Sequence, residues 1–217
     1  GFGGILADDM GLGKTLQTIA TLLARRLEGE STFPDLIICP TSLLYNWKKE
    51  FERFAPELSV CLVTGTATQR GANLQRQKES GEAQVLITYY DMVKRDLAFY
   101  RDLQFSAEVI DEAQNIKNQG TAAAKAVKKI HAGVRFALTG TPIENRLGEL
   151  WSIFDYLMPG FLYTYQKFRE EIELPIAVNQ DANTMERLQR MIRPFILRRL
   201  KGDVLKDLPD KIEETVF

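Results

Sequence analysis

Apolar and polar positions along the chain fall into two alternating patterns. Short apolar runs bounded by turn residues recur at Ile5 to Ala7, Leu36 to Cys39, Val60 to Val63, Val85 to Thr88, Val109-Ile110 and Arg135 to Thr139. Runs this short, with little polar alternation, predict strands buried on both faces. Between them, apolar residues return every three to four positions over Thr15 to Leu27, Ser42 to Phe54, Thr68 to Lys78, Tyr90 to Leu97 and Thr121 to Ile130, which predicts helices. Strands separated by helices predict an α/β fold: a parallel sheet covered on both faces, with its ligand at the carboxyl ends of the strands. After Pro142 the strand pattern stops. Leu150 to Leu157, Thr164 to Glu171 and Thr184 to Arg193 read as helices, punctuated by Pro159-Gly160 and Pro175. The resulting division is a sheet-based lobe over 1–144, a helical outgrowth over 145–210 and the start of a further connection over 211–217.

Composition narrows the class. The 217 residues are 45% hydrophobic and 26% charged, enough for one large globular domain and unlike a disordered chain. A net charge of −1 argues against a protein that coats nucleic acid by bulk charge, so any such contact must come from a local patch. The two cysteines, Cys39 and Cys61, sit in strand-like runs and suit a reducing compartment. No apolar run approaches the ~18 residues of a membrane span, and no secretory leader opens the chain, so an intracellular protein is expected: cytoplasm or nucleoid in a prokaryote, nucleus in a eukaryote. Both ends read as cut from something longer.

Chemistry concentrates first at Gly4-Ile-Leu-Ala-Asp-Asp-Met-Gly-Leu-Gly-Lys-Thr15, a strand running into a glycine-rich turn and then a helix. This is the core of a phosphate-binding loop. Small residues let the backbone N–H groups of Asp9, Met10, Gly11, Leu12, Gly13, Lys14, Thr15 and Leu16 converge on phosphates. Lys14 brings a cation to the β- and γ-oxygens, the Thr15 hydroxyl is a ligand for Mg²⁺, and the helix directs its positive end at the same anion. The strict pattern G-x-x-x-x-G-K-[ST] has glycine where this chain has Asp8, so that position must not need a positive φ.

A second cluster, Glu108-Val-Ile-Asp-Glu-Ala-Gln114, puts adjacent carboxylates at a strand end. Beside a phosphate loop, Asp111 is placed to hold Mg²⁺ and Glu112 to orient and deprotonate an attacking water. No Asn/Thr-Lys-x-Asp segment follows a late strand, which favours ATP over GTP. The strand ending at Leu138 leads into Thr139-Gly-Thr-Pro-Ile-Glu-Asn145, whose Thr139 and Thr141 hydroxyls are candidates to sense the γ-phosphate through Gln114.

These segments, together with Cys39-Pro-Thr-Ser-Leu-Leu-Tyr-Asn-Trp-Lys-Lys-Glu-Phe51, Ile87-Thr-Tyr-Tyr-Asp91 and Phe195-Ile-Leu-Arg-Arg199, resemble the successive motifs of the SWI/SNF-type ATPases, helicase-like translocases of superfamily two. The resemblance runs in order from Ile5 to Phe217. It implies a RecA-like lobe, Mg²⁺ and ATP as ligands, an acidic residue tolerated at Asp8, and a second lobe in cis supplying arginines to the transition state. It also implies double-stranded DNA, and with it DNA-bound protein complexes, as partners. By the same resemblance Thr41, Ser42, Thr88 and Asn145 would face DNA phosphates, and such contacts set register without reading sequence. Gln114 replaces the histidine of many relatives and is expected to bridge Asp111 to Thr139 or Thr141. A strand-separating helicase and a nucleotide-gated scaffold without turnover are the alternatives. The second is disfavoured by intact Lys14, Asp111 and Glu112. His131 reads as an exposed helix cap, Trp47 and Trp151 as core anchors, and Arg193, Arg198, Arg199 and Lys201 as a cluster facing DNA, the second lobe or solvent.

Overall fold

A computed structural model describes residues 2–140 and 147–204. Seven strands, β1 (Gly4–Leu6), β2 (Asp35–Cys39), β3 (Val60–Leu62), β4 (Val85–Tyr89), β5 (Gln104–Ile110), β6 (His131–Leu138) and β7 (Ile196–Leu197), form one sheet in the order β3-β4-β2-β5-β6-β1-β7. Every pairing is parallel. The carboxyl ends therefore lie along one edge, and the register aligns them: Ile38 with Ile110, Ile110 with Ala137, and Leu138 with Leu6.

Side chains alternate across the sheet, as the pleat requires. Ile37 and Cys39 of β2 join Val85 and Ile87 of β4 on one face, under α1 (Lys14–Leu27) and α2 (Leu44–Phe54), which contribute Ile19, Leu22, Leu44, Trp47 and Phe51. Leu36, Ile38 and Leu86 point to the other face. That face is covered by α3 (Ala67–Ser80), α4 (Tyr90–Arg95), α5 (Leu97–Arg101), α6 (Ala122–Val127) and α7 (Leu147–Leu157), with Leu74, Val93, Tyr100, Val127 and Phe154 buried there. Each such side chain contributes about 1.5–3 kcal/mol by leaving water. Beyond α7, α8 (Tyr165–Phe168) passes through a π-helical turn at Arg169–Glu173 into α9 (Leu174–Asn179), followed by α10 (Ala182–Ile192) and, past β7, α11 (Lys201–Val204). Among the described residues no helix is long and apolar enough to cross a membrane.

The expected elements are present, with boundaries moved for identifiable reasons. β5 starts at Gln104 because polar residues in its interior find partners: Ser106 Oγ accepts the Phe33 N–H at 2.8 Å, and one carboxylate oxygen of wholly buried Glu108 accepts Arg135 Nε at 3.1 Å from the in-register position of β6, the other oxygen being buried without a hydrogen bond to any described residue. α3 starts at Ala67 because Thr66 and Gln69 form a reciprocal capping box. His131 opens β6 opposite Gln104 and is not a helix cap. The stretch read as a purely helical outgrowth contains β7, two residues too short for any periodicity to register, bound to the edge of β1. Thr141, Asn145 and 211–217 lie outside the described residues.

Candidate nucleotide site

The phosphate loop leaves the end of β1 and reaches α1 through Gly11 and Gly13, at φ +87° and +74°, values that L side chains rarely adopt. Asp8 is not among the residues with positive φ, so the departure from the strict pattern costs no backbone strain. Gly13 caps α1 without any side-chain hydrogen bond, and no acidic residue occupies the first helical turn, which leaves amide donors and the helix dipole directed at the loop. Lys14 Nζ donates to the carbonyls of Asp8 at 2.7 Å and Asp9 at 3.2 Å, holding its ammonium over the turn. Gly140 abuts the same place: a Cβ there would lie 3.1 Å from Met10 Cγ and 3.8 Å from Lys14 Nζ. The end of β6 thus closes against the loop.

Asp111 follows β5, with its N–H donating to Ile38 O at 2.8 Å. Its carboxylate is buried and oriented from two sides: Trp47 Nε1 donates to Oδ2 at 2.9 Å and the Glu112 N–H to Oδ1 at 2.8 Å. Burial pushes its carboxyl above the ordinary aspartate value, against the pull of these two donors and of Lys14. Tyr90 Oη donates to the Asp111 carbonyl at 2.7 Å and fixes the peptide behind it. Glu112 adopts a left-handed conformation at φ +53°, sparse for a non-glycine residue, and this turns its half-buried side chain out of the strand direction. Gln114 Nε2 donates to Glu112 Oε2 at 2.7 Å, and Thr139 Oγ1 donates to Gln114 Oε1 at 3.3 Å. Gln114 therefore bridges Glu112, and not Asp111, to Thr139: its amide nitrogen donates to the Glu112 carboxylate, while the Asp111 carboxylate takes its donors from Trp47 and the Glu112 N–H.

The DNA-facing expectations divide. Thr41 and Ser42 are exposed in the 3₁₀ turn Thr41–Leu43 that leads from β2 into α2. Thr88 is fully buried, and its hydroxyl donates to Val63 O at 3.4 Å, so the expectation that it touches DNA is corrected: it lies on a covered face of the sheet. Trp47 is a core anchor as expected, and its bond to Asp111 is an addition that periodicity does not reveal. Arg199, left open between three surfaces, bonds to Asp8, 191 positions away, where no local signal could point. Trp151 anchors α7, with its indole N–H shared between Leu162 O at 3.2 Å and Tyr163 O at 3.3 Å. Cys39 is a buried free thiol pushed up to about 12 by burial and the nearby Asp111, which makes it inert.

Comparison with known proteins agrees with this arrangement. A profile of the SNF2-related domain matches residues 1–217. The chain is 44% identical to TATA-binding protein-associated factor MOT1 of Saccharomyces cerevisiae over 99% of its own length and 12% of that protein's. It is also 44% identical to the putative ATP-dependent helicase/translocase YwqA of Bacillus subtilis, over all of this chain and 24% of that one. It spans, in other words, a quarter or less of these relatives. The Sulfolobus solfataricus SWI2/SNF2 ATPase core, solved in complex with double-stranded DNA, superposes with a TM-score of 0.84 at 44% identity, covering 99% of this chain and 44% of that one. With a parallel sheet of the RecA-like kind, a phosphate loop and paired carboxylates at its carboxyl edge, and likeness running its whole length, the chain belongs to the SNF2-related domain family.

Proposed function

We propose that this domain is the ATP-binding lobe of a DNA-dependent ATPase that moves along double-stranded DNA. The observation that carries the reading is the convergence of Lys14, Asp111 and Glu112 at one sheet edge, beside a loop whose two glycines hold positive φ. Lys14 neutralises charge on the β- and γ-phosphates by exchanging its carbonyl partners for phosphate oxygens. Glu112 orients a water in line with the γ-phosphorus and takes its proton, and Gln114 carries the position of that carboxylate to Thr139. The donor set suits Mg²⁺, which keeps waters and takes one or two protein ligands beside substrate phosphates: one carboxylate, Asp111, already oriented by two donors, and one hydroxyl, Thr15, in the first turn of α1. The ion, when bound, would offset charge developing on the transferred phosphoryl group.

Exposed Thr41 and Ser42, at the start of the turn that leads into α2, would bind DNA phosphates, with Asn145 as a further contact. Thr141 joins Thr139 in coupling. A second lobe in cis would complete the catalytic set, and DNA-bound protein complexes would be the cargo, in an intracellular setting. The test is calorimetry of Mg·ATP binding to the intact protein and to Lys14→Ala, paired with phosphate release with and without duplex DNA. Equal affinity in the two proteins, or turnover indifferent to duplex DNA, overturns the reading.

A further inference from the structure

Asp8 stands where the strict loop pattern has glycine, and its carboxylate is wholly buried. A buried charge is costly unless it is paired and hydrogen-bonded. Here the partner comes from the far end of the described chain. Arg199 donates its backbone N–H to Oδ1 at 2.9 Å, its Nε to both carboxylate oxygens at 3.1 Å, and its Nη2 to Oδ2. Gln17 of α1 completes the cluster, donating Nε2 to Asp8 Oδ2 at 3.4 Å while its own Oε1 accepts from Arg199 Nη2. Burial would raise the Asp8 carboxyl; these donors outweigh it and hold the group below the ordinary aspartate value.

The backbones are tied as well. Ala7 N–H donates to Leu197 O at 2.8 Å, Asp9 N–H to Arg199 O at 3.1 Å, and Lys201 N–H to the Asp9 carboxylate at 3.0 Å. The β1–β7 ladder thus continues into the phosphate loop itself. Lys201 extends over the loop, its Nζ 3.4 Å from where a Cβ on Gly11 would stand. The two carbonyls that receive Lys14 Nζ belong to Asp8 and Asp9, the residues this segment grips.

We infer that Arg199 is a positioning residue for the phosphate loop, and that the order of the segment over 199–204 and the loop's affinity for nucleotide are coupled. The inference rests on the nucleotide reading above. An Arg fork on a carboxylate fixes orientation as well as distance, so it holds the Asp8 and Asp9 peptides in the path that converges on the phosphates. Coupling between two sites is reciprocal, so nucleotide that rigidifies the loop must also secure the strap laid along it.

The experiment uses the intact protein, wild type and the variants Arg199→Gln, Asp8→Asn and the Asp8→Asn/Arg199→Gln pair. Arg199→Gln is expected to weaken nucleotide binding and raise KM for ATP about tenfold, the loss of one good charge-assisted bond, with kcat at saturation changed far less. The double variant is expected to recover part of that loss, because the carboxylate no longer sits buried without its cation. Hydrogen exchange supplies a readout that a bracing role alone would not move: the amides of Arg199 and Lys201 exchange more slowly when wild type binds nucleotide, and this slowing is absent in Arg199→Gln. Should Arg199→Gln fail to fold, the double variant carries the test, with KM still above wild type. Wild-type KM in the variants, or exchange at 199 and 201 indifferent to nucleotide, overturns the inference. Wild type that binds no nucleotide overturns the nucleotide reading, and this inference falls with it.

Discussion

Trp47→Phe separates packing from chemistry at Asp111. Trp47 is 1% exposed, and its Nε1 donates to Asp111 Oδ2 at 2.9 Å, so the substitution keeps an aromatic ring in the core while deleting the donor. A hydrogen bond to a charged group is worth about 1.5–3 kcal/mol. The smaller ring leaves roughly 40 Å³, adding about 1 kcal/mol. The expected loss of stability is therefore about 2.5–4 kcal/mol, read from urea unfolding without nucleotide. Asp111 would keep the Glu112 N–H as its remaining donor and lose one of the two bonds that orient its carboxylate. If Asp111 holds Mg²⁺ as proposed, losing a group that orients it lowers metal affinity about 10–100-fold, so Mg²⁺-dependent nucleotide binding should shift to higher Mg²⁺ by that factor. Trp151→Phe is the control: its indole N–H serves the Leu162 and Tyr163 carbonyls, so stability falls while the Mg²⁺ dependence stays put. A Trp47→Phe protein with Mg²⁺ dependence within twofold of wild type would refute the reasoning, whatever its stability.

Other consequences are open to direct measurement. Glu112→Gln in the intact protein should bind nucleotide normally and lose most turnover, because the role proposed for the carboxylate is proton transfer; hydrolysis within a few-fold of wild type in a phosphate-release assay would contradict that role. If a second lobe in cis supplies the transition-state arginine, as proposed, the 217-residue chain assayed alone should hydrolyse ATP about 10³-fold or more slowly than the intact protein, with or without DNA, since Arg199 is held by Asp8; equal rates would show the catalytic set to be complete within this lobe. Asp35 is buried beside Arg26, and burial pushes its carboxyl up to about 6 from an ordinary value of 3.8. A folded-state value above the unfolded one means that stability present below about pH 4 is lost as pH rises through 6. Asp35→Asn should lack that decline, and stability curves running parallel between pH 4 and 6.5 would refute it.

The sheet was legible from the sequence because six of its strands are apolar runs long enough to stand out between helices. Glu108 and Ser106 hid the first half of β5, since buried polar residues read as loop until their partners, Arg135 and the Phe33 amide, are placed in space. The phosphate loop and the carboxylate pair were equally plain, being contiguous motifs. What sequence reasoning missed is tertiary by nature: the Trp47 indole on Asp111, the Tyr90 hydroxyl behind it, and Arg199 on Asp8 join residues from 21 to 191 positions apart. Thr88 erred in the opposite sense. Its place in a motif suggested an outward hydroxyl, but as the fourth residue of β4 it shares the face of Leu86, which the helices from α3 onward cover, and it is fully buried there.

The position of β1 carries a consequence for how the protein is made. This strand holds the phosphate loop, yet its hydrogen-bonding partners are β6, beginning at His131, and β7, beginning at Ile196. On a ribosome adding about 5–20 residues per second, β1 emerges and then waits on the order of ten seconds for its first partner, and several seconds more for the second. During that interval an apolar strand edge is exposed, a window in which chaperones or neighbouring nascent chains can bind it. Nucleotide cannot shorten the wait, because the loop lacks its scaffold until β6 is in place and its Arg199 clasp until β7 has followed. Within this sheet the earliest strand carries the last part to become functional, and nucleotide can stabilise only chains in which β6 and β7 have already paired with β1.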